Sequence, residues 1–473
     1  MEYRVEEDLL GTREIPKDKY YGIQTLRAME NFPITGYSLF PEMISSLALV
    51  KKCAAEANVS AGILEPRIGK AIAAAADEIV EGHLHDQFVV DVIQGGAGTS
   101  FNMNANEVIA NRAIELLGGE KGDYSILSPN THVNMSQSTN DVFPTAVRIS
   151  SLIMAEKLIK AQEDLIYTFR IKCEEFDDVI KVGRTHLQDA VPIRLSQEFS
   201  AYGRVLNRDL DRLRRSIKEL RFINMGATAA GTGLNTEQKY TLEVVRKLRD
   251  YSALDIIGAS DLVDATQNVD ALSEVSGALK ILALNLSKIA NDFRLLSSGP
   301  RAGFAEINLP PVQAGSSIMP GKVNPVMAEV VNQVAFQVVG NDTTISLAVE
   351  AGQLELNVME PVLVYNLLQS FQILTNVIDV FEEKCVRGVT ANREKCENDV
   401  ENSIGLITAI NPHVGYETAS AIAKEALEQN KQVRQLLLEK NIFTEEELCS
   451  IFQVKDMTRP GIAGAQFLKR FNK

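Results

Sequence analysis

The sequence predicts a mainly α-helical protein built around a central bundle of long helices. Two series of apolar residues indicate this fold, because their members recur every three or four positions, the spacing of one helix face. The first series is Leu272, Val275, Leu279, Leu282, Leu286, Ile289, Phe293 and Leu296. The second is Leu195, Phe199, Tyr202, Leu206, Leu210, Leu213, Ile217 and Leu220. Such helices exceed the usual length of about 11–12 residues and suit a bundle whose apolar faces continue into neighbouring subunits.

The segments on either side predict further helices and few strands. The part before about residue 140 is mixed, with weak strand signals confined to short stretches near the N-terminus. An alanine-rich helix is predicted near 68–79, and other long helices near 142–174, 327–349 and 354–382.

The last eighty or so residues predict a small helical unit. Asn411-Pro412 breaks the chain, and short helices are predicted near 416–429 and 431–440. Thr444-Glu-Glu-Glu447 has the pattern of a capping box that opens another helix.

Composition limits the classes of function. The chain has 473 residues with 45% apolar and 23% charged content, which is typical of a globular protein of about three domains. Its net charge of −14 disfavours nucleic acid and anionic membranes as partners. The acidic N-terminus has no apolar core and the chain has no long apolar run, so neither a secretory signal nor a membrane span is expected. Five scattered cysteines without C-x-x-C spacing favour the cytoplasm and argue against a structural metal.

The segment Gly315–Pro325, G-S-S-I-M-P-G-K-V-N-P, is the most informative in the chain. Its glycines and prolines predict a shaped loop, and it places Ser316 and Ser317 close to Lys322 and Asn324. It is not a nucleotide-binding P-loop, because its two glycines are one residue too far apart and the hydroxyl after the lysine is missing. Hydroxyls, a cation and an amide can bind a carboxylate. The alternative is a surface loop whose serines satisfy backbone groups.

Three other polar segments precede predicted helices. They are Gly95–Asn102 with Thr99, Ser100 and Asn102 exposed, Asn134–Asp141 with Ser138, Thr139 and Asn140, and Gly183–Asp189 with Thr185, His186 and Gln188. Each could be a helix N-cap, a common role of such residues. Taken together, they would supply carboxylate-binding donors at the ends of a bundle.

These four segments, in order and over essentially the full length, resemble the aspartase/fumarase superfamily of lyases, whose signature is the Gly315–Pro325 run. Other details are more similar to the aspartase branch than to the hydratases. They are Glu6–Arg13, Gln24–Phe32, Ser138-Thr-Asn140 in place of Ser-Ser-Asn, Asp189-Ala-Val-Pro192 in place of Asp-Ala-Thr-Pro, and Asn357-Val-Met-Glu-Pro361.

The resemblance implies reversible deamination of L-aspartate to fumarate and ammonia, by abstraction of the Cβ proton through an aci-carboxylate. It makes Ser316 the general base on a mobile loop. The implied ligands are Thr99, Ser138, Thr139 and Ser317 for the β-carboxylate, Lys322 and Asn324 for the α-carboxylate, and Asn140, Thr185 and His186 for the amino group. Glu329 would be the partner of His186. We hypothesise that backbone N–H groups of the Gly321 turn and the charge of Lys322 stabilise the Ser316 alkoxide.

The resemblance also implies the architecture and the assembly. The expected domains are a mixed, mostly helical one over 1–139, a five-helix bundle over 140–394 and a small helical one over 395–473. A homotetramer with a twenty-helix core and active sites composed from three subunits is expected, with no cofactor and no metal. The alternatives are a class II fumarate hydratase, a lyase acting on a larger amine such as argininosuccinate, and a non-catalytic helical scaffold.

Overall fold

The computed structural model describes residues 2–470, and helices dominate it. The chain begins with β1 Tyr3–Asp8, β2 Gly11–Pro16, α1 Ile23–Asn31, α2 Pro41–Ala61, α3 Pro66–Val80 and α4 Thr99–Leu116. Its middle contains α5 Thr139–Glu175, β3 Ile180–Thr185, β4 Gln188–Arg194, α6 Leu195–Ser216, β5 Phe222–Ile223, α7 Gln238–Ser252, β6 Ile257–Gly258, α8 Leu262–Gln267 and α9 Asp270–Leu296. The last part contains β7 Ile307–Asn308, α10 Val326–Glu350, α11 Glu360–Lys384, β8 Thr390–Ala391, α12 Arg393–Asn402, α13 Ile407–Val414, α14 Tyr416–Gln429, α15 Val433–Glu439, α16 Glu445–Ile451 and α17 Val454–Met457.

The residues group into two units. Unit 1 contains residues up to 160, 209–283 and 334–375, and unit 2 contains 161–208, 284–333 and 376 onwards. The five longest helices, α5, α6, α9, α10 and α11, each have residues in both units. The division into three domains at residues 139 and 394 stays a prediction.

The two apolar series lie in the core, as predicted, except for Ile217, which is partly buried. In unit 2, the ring of Phe293 on α9 lies 5.5 Å from the ring of Phe199 on α6 and 5.5 Å from that of Phe381 on α11. Phe169 on α5 joins the same cluster, with its ring 5.8 Å from that of Phe199. Asn332 on α10 donates to the Ser287 hydroxyl of α9 over 2.8 Å. The predicted bundle of five long helices is therefore confirmed in unit 2.

Unit 1 continues the same helices and adds shorter elements around them. Asn341 on α10 donates to the Ser370 hydroxyl on α11 over 3.0 Å. Helix α2 packs against both α3 and α7. Buried Glu107 on α4 accepts hydrogen bonds from the backbone N–H groups of Gly22 and Gln24, both over 2.8 Å. Since the first N–H groups of a helix lack partners within it, this carboxylate fastens the start of α1 to α4.

The expectation that strands are confined to the N-terminus is wrong. Strands β3 and β4 form an antiparallel hairpin in which Ile180 pairs with Arg194, and a bulge interrupts the register between Val182 and Arg184. Its two-residue turn is formed by His186 and Leu187, both with positive φ, at 55° and 59°. Such turns usually carry Asn, Asp or Gly, so the sequence has no turn signal at this point.

In the C-terminal part, the predicted chain break at Asn411-Pro412 is wrong. Helix α13 contains Pro412 and ends at Val414, before Gly415, whose φ of 81° favours glycine. Helices α14 and α15 match the segments predicted near 416–429 and 431–440. The capping box is present, since the Thr444 hydroxyl accepts from the Glu447 N–H and the Glu447 carboxylate accepts from the Thr444 N–H. Helix α11 begins at Glu360, six residues later than the predicted start at 354, because the chain turns at 351–359. No helix within residues 2–470 is both long and apolar enough to cross a membrane.

Candidate active site

In unit 1, two of the polar segments meet at the starts of two helices. Thr99 is the first residue of α4 and Thr139 the first residue of α5. The Asn102 side-chain amide donates to the Thr139 hydroxyl over 3.1 Å and to the Asn134 side-chain oxygen over 3.2 Å. Asn102 is only 2% exposed, which corrects its prediction as an exposed residue. It points inward because it lies one turn into α4, on the face that packs against the 134–141 segment.

The Asp141 side chain fixes the position of the Ser138-Thr139-Asn140 run. Its buried carboxylate accepts the Ser138 N–H over 2.9 Å, while the Ser138 hydroxyl accepts the Asn140 N–H over 3.2 Å. Ser138 therefore combines the capping role that its position allows with the placement of its neighbours. Burial raises the pKa of Asp141 to about 6, and its hydrogen bonds from backbone N–H groups oppose that shift.

The Asp141 carboxylate also binds a segment that the sequence analysis missed. Asp141 accepts the N–H groups of Gly226 and Thr228 over 3.2 and 3.1 Å, and the Asn140 amide donates to the Ala229 carbonyl over 2.7 Å. Thr228 has a positive φ of 58°, and Gly226 has one of 91°. Three glycines within Gly226–Gly233 were the signal that could have identified this loop.

Lys51 on α2 is the other residue that the sequence analysis missed. It is 0% exposed, and its ammonium nitrogen donates to the side-chain oxygens of Asn134 and Gln137 over 3.0 and 2.9 Å. Burial lowers the pKa of Lys51 to about 7, although the charge of Asp141 acts in the opposite direction. A lysine beside apolar residues on an ordinary helix has no sequence feature that indicates this position.

In unit 2, the 315–325 loop is closed by hydrogen bonds among its own residues, one between backbone groups and one from the Asn324 side chain. The Gly315 N–H donates to the Lys322 carbonyl over 3.0 Å, and the Asn324 amide donates to the Gly315 carbonyl over 2.6 Å. A Cβ at Gly315 would lie 2.2 Å from the Lys322 carbonyl oxygen, so only glycine fits there. Ser317 and Lys322 are exposed.

The Ser316 hydroxyl oxygen accepts two backbone N–H groups. They belong to Ile318 and Met319, at 3.2 and 3.0 Å. The hypothesis that the donors belong to the Gly321 turn is therefore corrected, because the chain reverses directly after the serine. Two donors aimed at one oxygen favour its negatively charged form.

Thr185 and His186 lie at the exposed tip of the β3–β4 hairpin, and Glu329 lies in the first turn of α10. The partnership of His186 with Glu329 stays a prediction. In the part of the chain that the structure describes, no cluster of His, Cys, Asp and Glu side chains has the arrangement of a metal site.

The predicted ligands are thus divided between the two units. Unit 1 carries Thr99, Ser138, Thr139 and Asn140, and unit 2 carries Thr185, His186, Ser316, Ser317, Lys322, Asn324 and Glu329. Unit 1 contributes hydroxyl and amide groups, and unit 2 contributes hydroxyl, amide, imidazole and ammonium groups.

Comparison with known proteins identifies the family. The family described as "Lyase" matches residues 11–340, and the one described as "Fumarase C C-terminus" matches residues 406–459. The chain belongs to the aspartase/fumarase superfamily of lyases. It is 62% identical over 469 residues to the aspartate ammonia-lyase of Bacillus subtilis, covering 99% of both chains. It is 50% identical over 467 residues to that of Escherichia coli, covering 98% of both.

Solved structures of the superfamily share the fold. A fumarate lyase:delta crystallin from Brucella melitensis bound to cobalt has a TM-score of 0.94 at 49% identity, covering 97% of this chain and 100% of the other. The class II fumarase of Schistosoma mansoni has a TM-score of 0.92 at 37% identity over the same shares. The mainly α-helical superfamily fold expected from the sequence is confirmed.

Proposed function

We propose that this carbon–nitrogen lyase is an aspartate ammonia-lyase, which converts L-aspartate reversibly to fumarate and ammonia. The observation that carries the proposal is the 62% identity over 99% of the chain to a protein of that name. Identity to the class II fumarase is 37%. The aspartase-like residues Thr139 and Val191 also favour ammonia over water as the leaving group.

The chemical difficulty is the weak acidity of the Cβ proton beside an ionised carboxylate. Its removal places a second negative charge on that carboxylate, so donors must already point at its oxygens. Thr99, Ser138 and Thr139 would supply them from unit 1, together with Ser317. The support for this role is the fixed position of Thr139, which is buried and accepts from Asn102 over 3.1 Å.

Ser316 would take the Cβ proton. A free hydroxyl is too weak an acid to be ionised at neutral pH, so its alkoxide needs stabilisation. The N–H groups of Ile318 and Met319, at 3.2 and 3.0 Å from the Ser316 hydroxyl oxygen, support that role. The charge of Lys322 in the same loop would add to this stabilisation.

The remaining ligands would fix the orientation of the substrate. Lys322 and Asn324 would bind the α-carboxylate, while Asn140, Thr185 and His186 would surround the amino group. The 315–325 loop would close over the bound substrate. The exposure of Ile318, at 83%, supports such a movement, because a large apolar side chain gains from being covered.

The proposed assembly is a cytoplasmic homotetramer with composite active sites. Its support is an outward stripe on α10, where Phe336 and Leu347 are 68% and 65% exposed. Between them, a Cβ at Gly340 would meet no atom within 4 Å, which leaves room for another helix. Light scattering should give four times the chain mass of 52.0 kDa. A stable and active monomer would contradict the proposal.

The deciding experiment follows the ultraviolet absorbance of fumarate with purified protein and either L-aspartate or L-malate. Fumarate from aspartate alone is expected. Fumarate from malate alone would identify a hydratase, and no fumarate from either would indicate a larger amine substrate or a scaffold. The presence of Ser316, His186 and Lys322 argues against a scaffold.

A further inference from the structure

The hairpin that carries Thr185 and His186 is bound by ion pairs between side chains that have no part in the proposed chemistry. Arg184 lies 2.6 Å from one oxygen of the Glu306 carboxylate, and the Lys181 ammonium lies 3.1 Å from the other. Lys181 also donates to Glu198 over 2.9 Å. The four residues form a neutral network of two cations and two anions, of which Lys181 and Glu306 are buried.

Glu306 is held firmly through its backbone. Its N–H donates to the Leu296 carbonyl at the end of α9 over 2.9 Å, and its carbonyl accepts the Asn392 N–H over 2.9 Å. Both neighbours belong to packed elements, since Leu296 ends a bundle helix and Asn392 immediately precedes α12. The carboxylate of Glu306 is therefore held in place, and the hairpin is bound to it through Lys181 and Arg184.

Arg184 links the Glu306 carboxylate to the tip of the hairpin. Its guanidinium contacts the Glu306 carboxylate and also lies 4.2 Å from the centre of the Phe304 ring. Successive side chains of a strand point to opposite sides, so holding Arg184 inward directs Thr185 outward. The bulge at Gly183, where a Cβ would lie 2.5 Å from the Val191 carbonyl oxygen, leaves the strand little freedom to rotate.

A buried ion network is not the most stabilising choice at such a place. Apolar side chains of similar volume often stabilise a fold equally well or better. The network instead supplies directional contacts, because a planar guanidinium and a carboxylate bind in a narrow range of geometries. Directional contacts beneath an exposed functional turn suggest that the orientation of the turn matters.

We propose that Arg184, held by Glu306, is a positioning residue that aims Thr185 and His186 at the amino group of the substrate. This inference rests on the proposed function. The carboxylates of the substrate are bound by other segments, so Arg184 affects recognition of the amino group alone. Neither Arg184 nor Glu306 touches the substrate.

The test compares Arg184→Lys with the matched control Arg194→Lys. Arg194 lies on the same hairpin, at the far end from the turn, and forms its ion pair with Asp177. Three quantities are measured for each variant and the wild type: KM for L-aspartate, kcat, and the inhibition constant of succinate, a dicarboxylate without an amino group. Glu306→Gln is measured in the same way as a second variant.

For Arg184→Lys we expect KM for L-aspartate to rise about 10-fold, the effect of one weakened hydrogen bond to the amino group. The succinate constant should stay within about 2-fold, and Arg194→Lys should resemble the wild type. Glu306→Gln should repeat the pattern with a larger change in KM. If Glu306→Gln does not fold, the test depends on Arg184→Lys alone. This variant keeps the positive charge beside Glu306 and is therefore expected to fold.

Two results would overturn the inference. One is an unchanged KM for Arg184→Lys. The other is an equal rise of the aspartate and succinate constants, which would indicate a general loosening of the site. Wild-type protein that forms no fumarate from L-aspartate would overturn the proposed function and this inference with it, and this result appears before any variant is compared.

Discussion

The 134–141 segment of unit 1 and the 315–325 loop of unit 2 both carry predicted substrate ligands, but they are held in different ways. Around the 134–141 segment, Lys51 donates to Asn134 and Gln137, and the Asp141 carboxylate accepts three backbone N–H groups. Four of these five contacts come from distant parts of the chain, and all five are buried or partly buried. The 315–325 loop is closed by hydrogen bonds among its own residues, and most of it is exposed.

The difference corresponds to two tasks in the proposed reaction. Donors that stabilise charge on a carboxylate are effective when they cannot reorient, and burial in a hydrogen-bonded network prevents reorientation. A base that acts only after the substrate has been bound can lie on a segment that moves. The comparison predicts that substitutions in the two regions differ in their effects on stability as well as on activity.

The largest effect is expected for Ser316→Ala. Turnover of L-aspartate should fall by about 10⁴-fold, because the variant lacks the proposed general base. The melting temperature should barely change, since the side chain makes contacts only within an exposed loop. Fumarate absorbance and a thermal melt measure the two quantities. Normal turnover in this variant would remove Ser316 as the base.

Thr139→Val is expected to lower turnover by about 10²–10³-fold, the usual cost of one lost donor to developing charge. In contrast to Ser316→Ala, it should also destabilise the fold by about 1 kcal/mol, because the Asn102 amide loses an acceptor in the core. Steady-state kinetics and urea unfolding separate the effects. Equal stability of the Ser316 and Thr139 variants would contradict the contrast between the two regions.

His186→Ala should impair turnover by about 10- to 100-fold without abolishing it, as expected for a group that orients the substrate. Ammonia leaves more readily than hydroxide, so a strong general acid is less necessary here than in a hydratase. Leu187→Ala, at the adjoining exposed turn position, is the matched control and should retain activity. Complete loss of fumarate formation in the His186 variant would show that its role is different.

A separate effect, on stability and not on turnover, is the pH dependence that Lys51 confers. The folded-state pKa of Lys51 is about 7, against 10.5 for an ordinary lysine, so the unfolded chain binds more protons between these values. The contribution of Lys51 to stability therefore falls as the pH decreases from 10.5 towards 7, by at most about 1.4 kcal/mol per pH unit. Lys51→Met should lack this dependence.

Urea unfolding at about pH 7 and pH 9 measures that difference. Relative to Lys51→Met, the wild-type protein should gain stability at the higher pH. Lys70→Met, which replaces an exposed lysine on α3, should keep the wild-type dependence. Identical pH dependence in the wild type and in Lys51→Met would mean that the buried ammonium keeps its ordinary pKa.

The amino-acid sequence by itself determined the long helices, the capping box at Thr444 and the membership of the superfamily. These features depend on local periodicity and on contiguous motifs such as Gly315–Pro325. Both can be recognised without knowledge of the tertiary packing. The residues that the motifs carry were found in the same way. Their positions in each unit were then supplied by the structure.

Only the tertiary structure decided which residues support those motifs. Lys51, Asn102 and the Gly226–Thr228 loop reach the 134–141 segment from distant parts of the chain, and Glu306 reaches Arg184 across 122 positions. The β3–β4 hairpin was missed because His186 and Leu187 are unusual residues for its turn. Burial and long-range pairing give these residues their roles, and both depend on packing rather than on local sequence pattern.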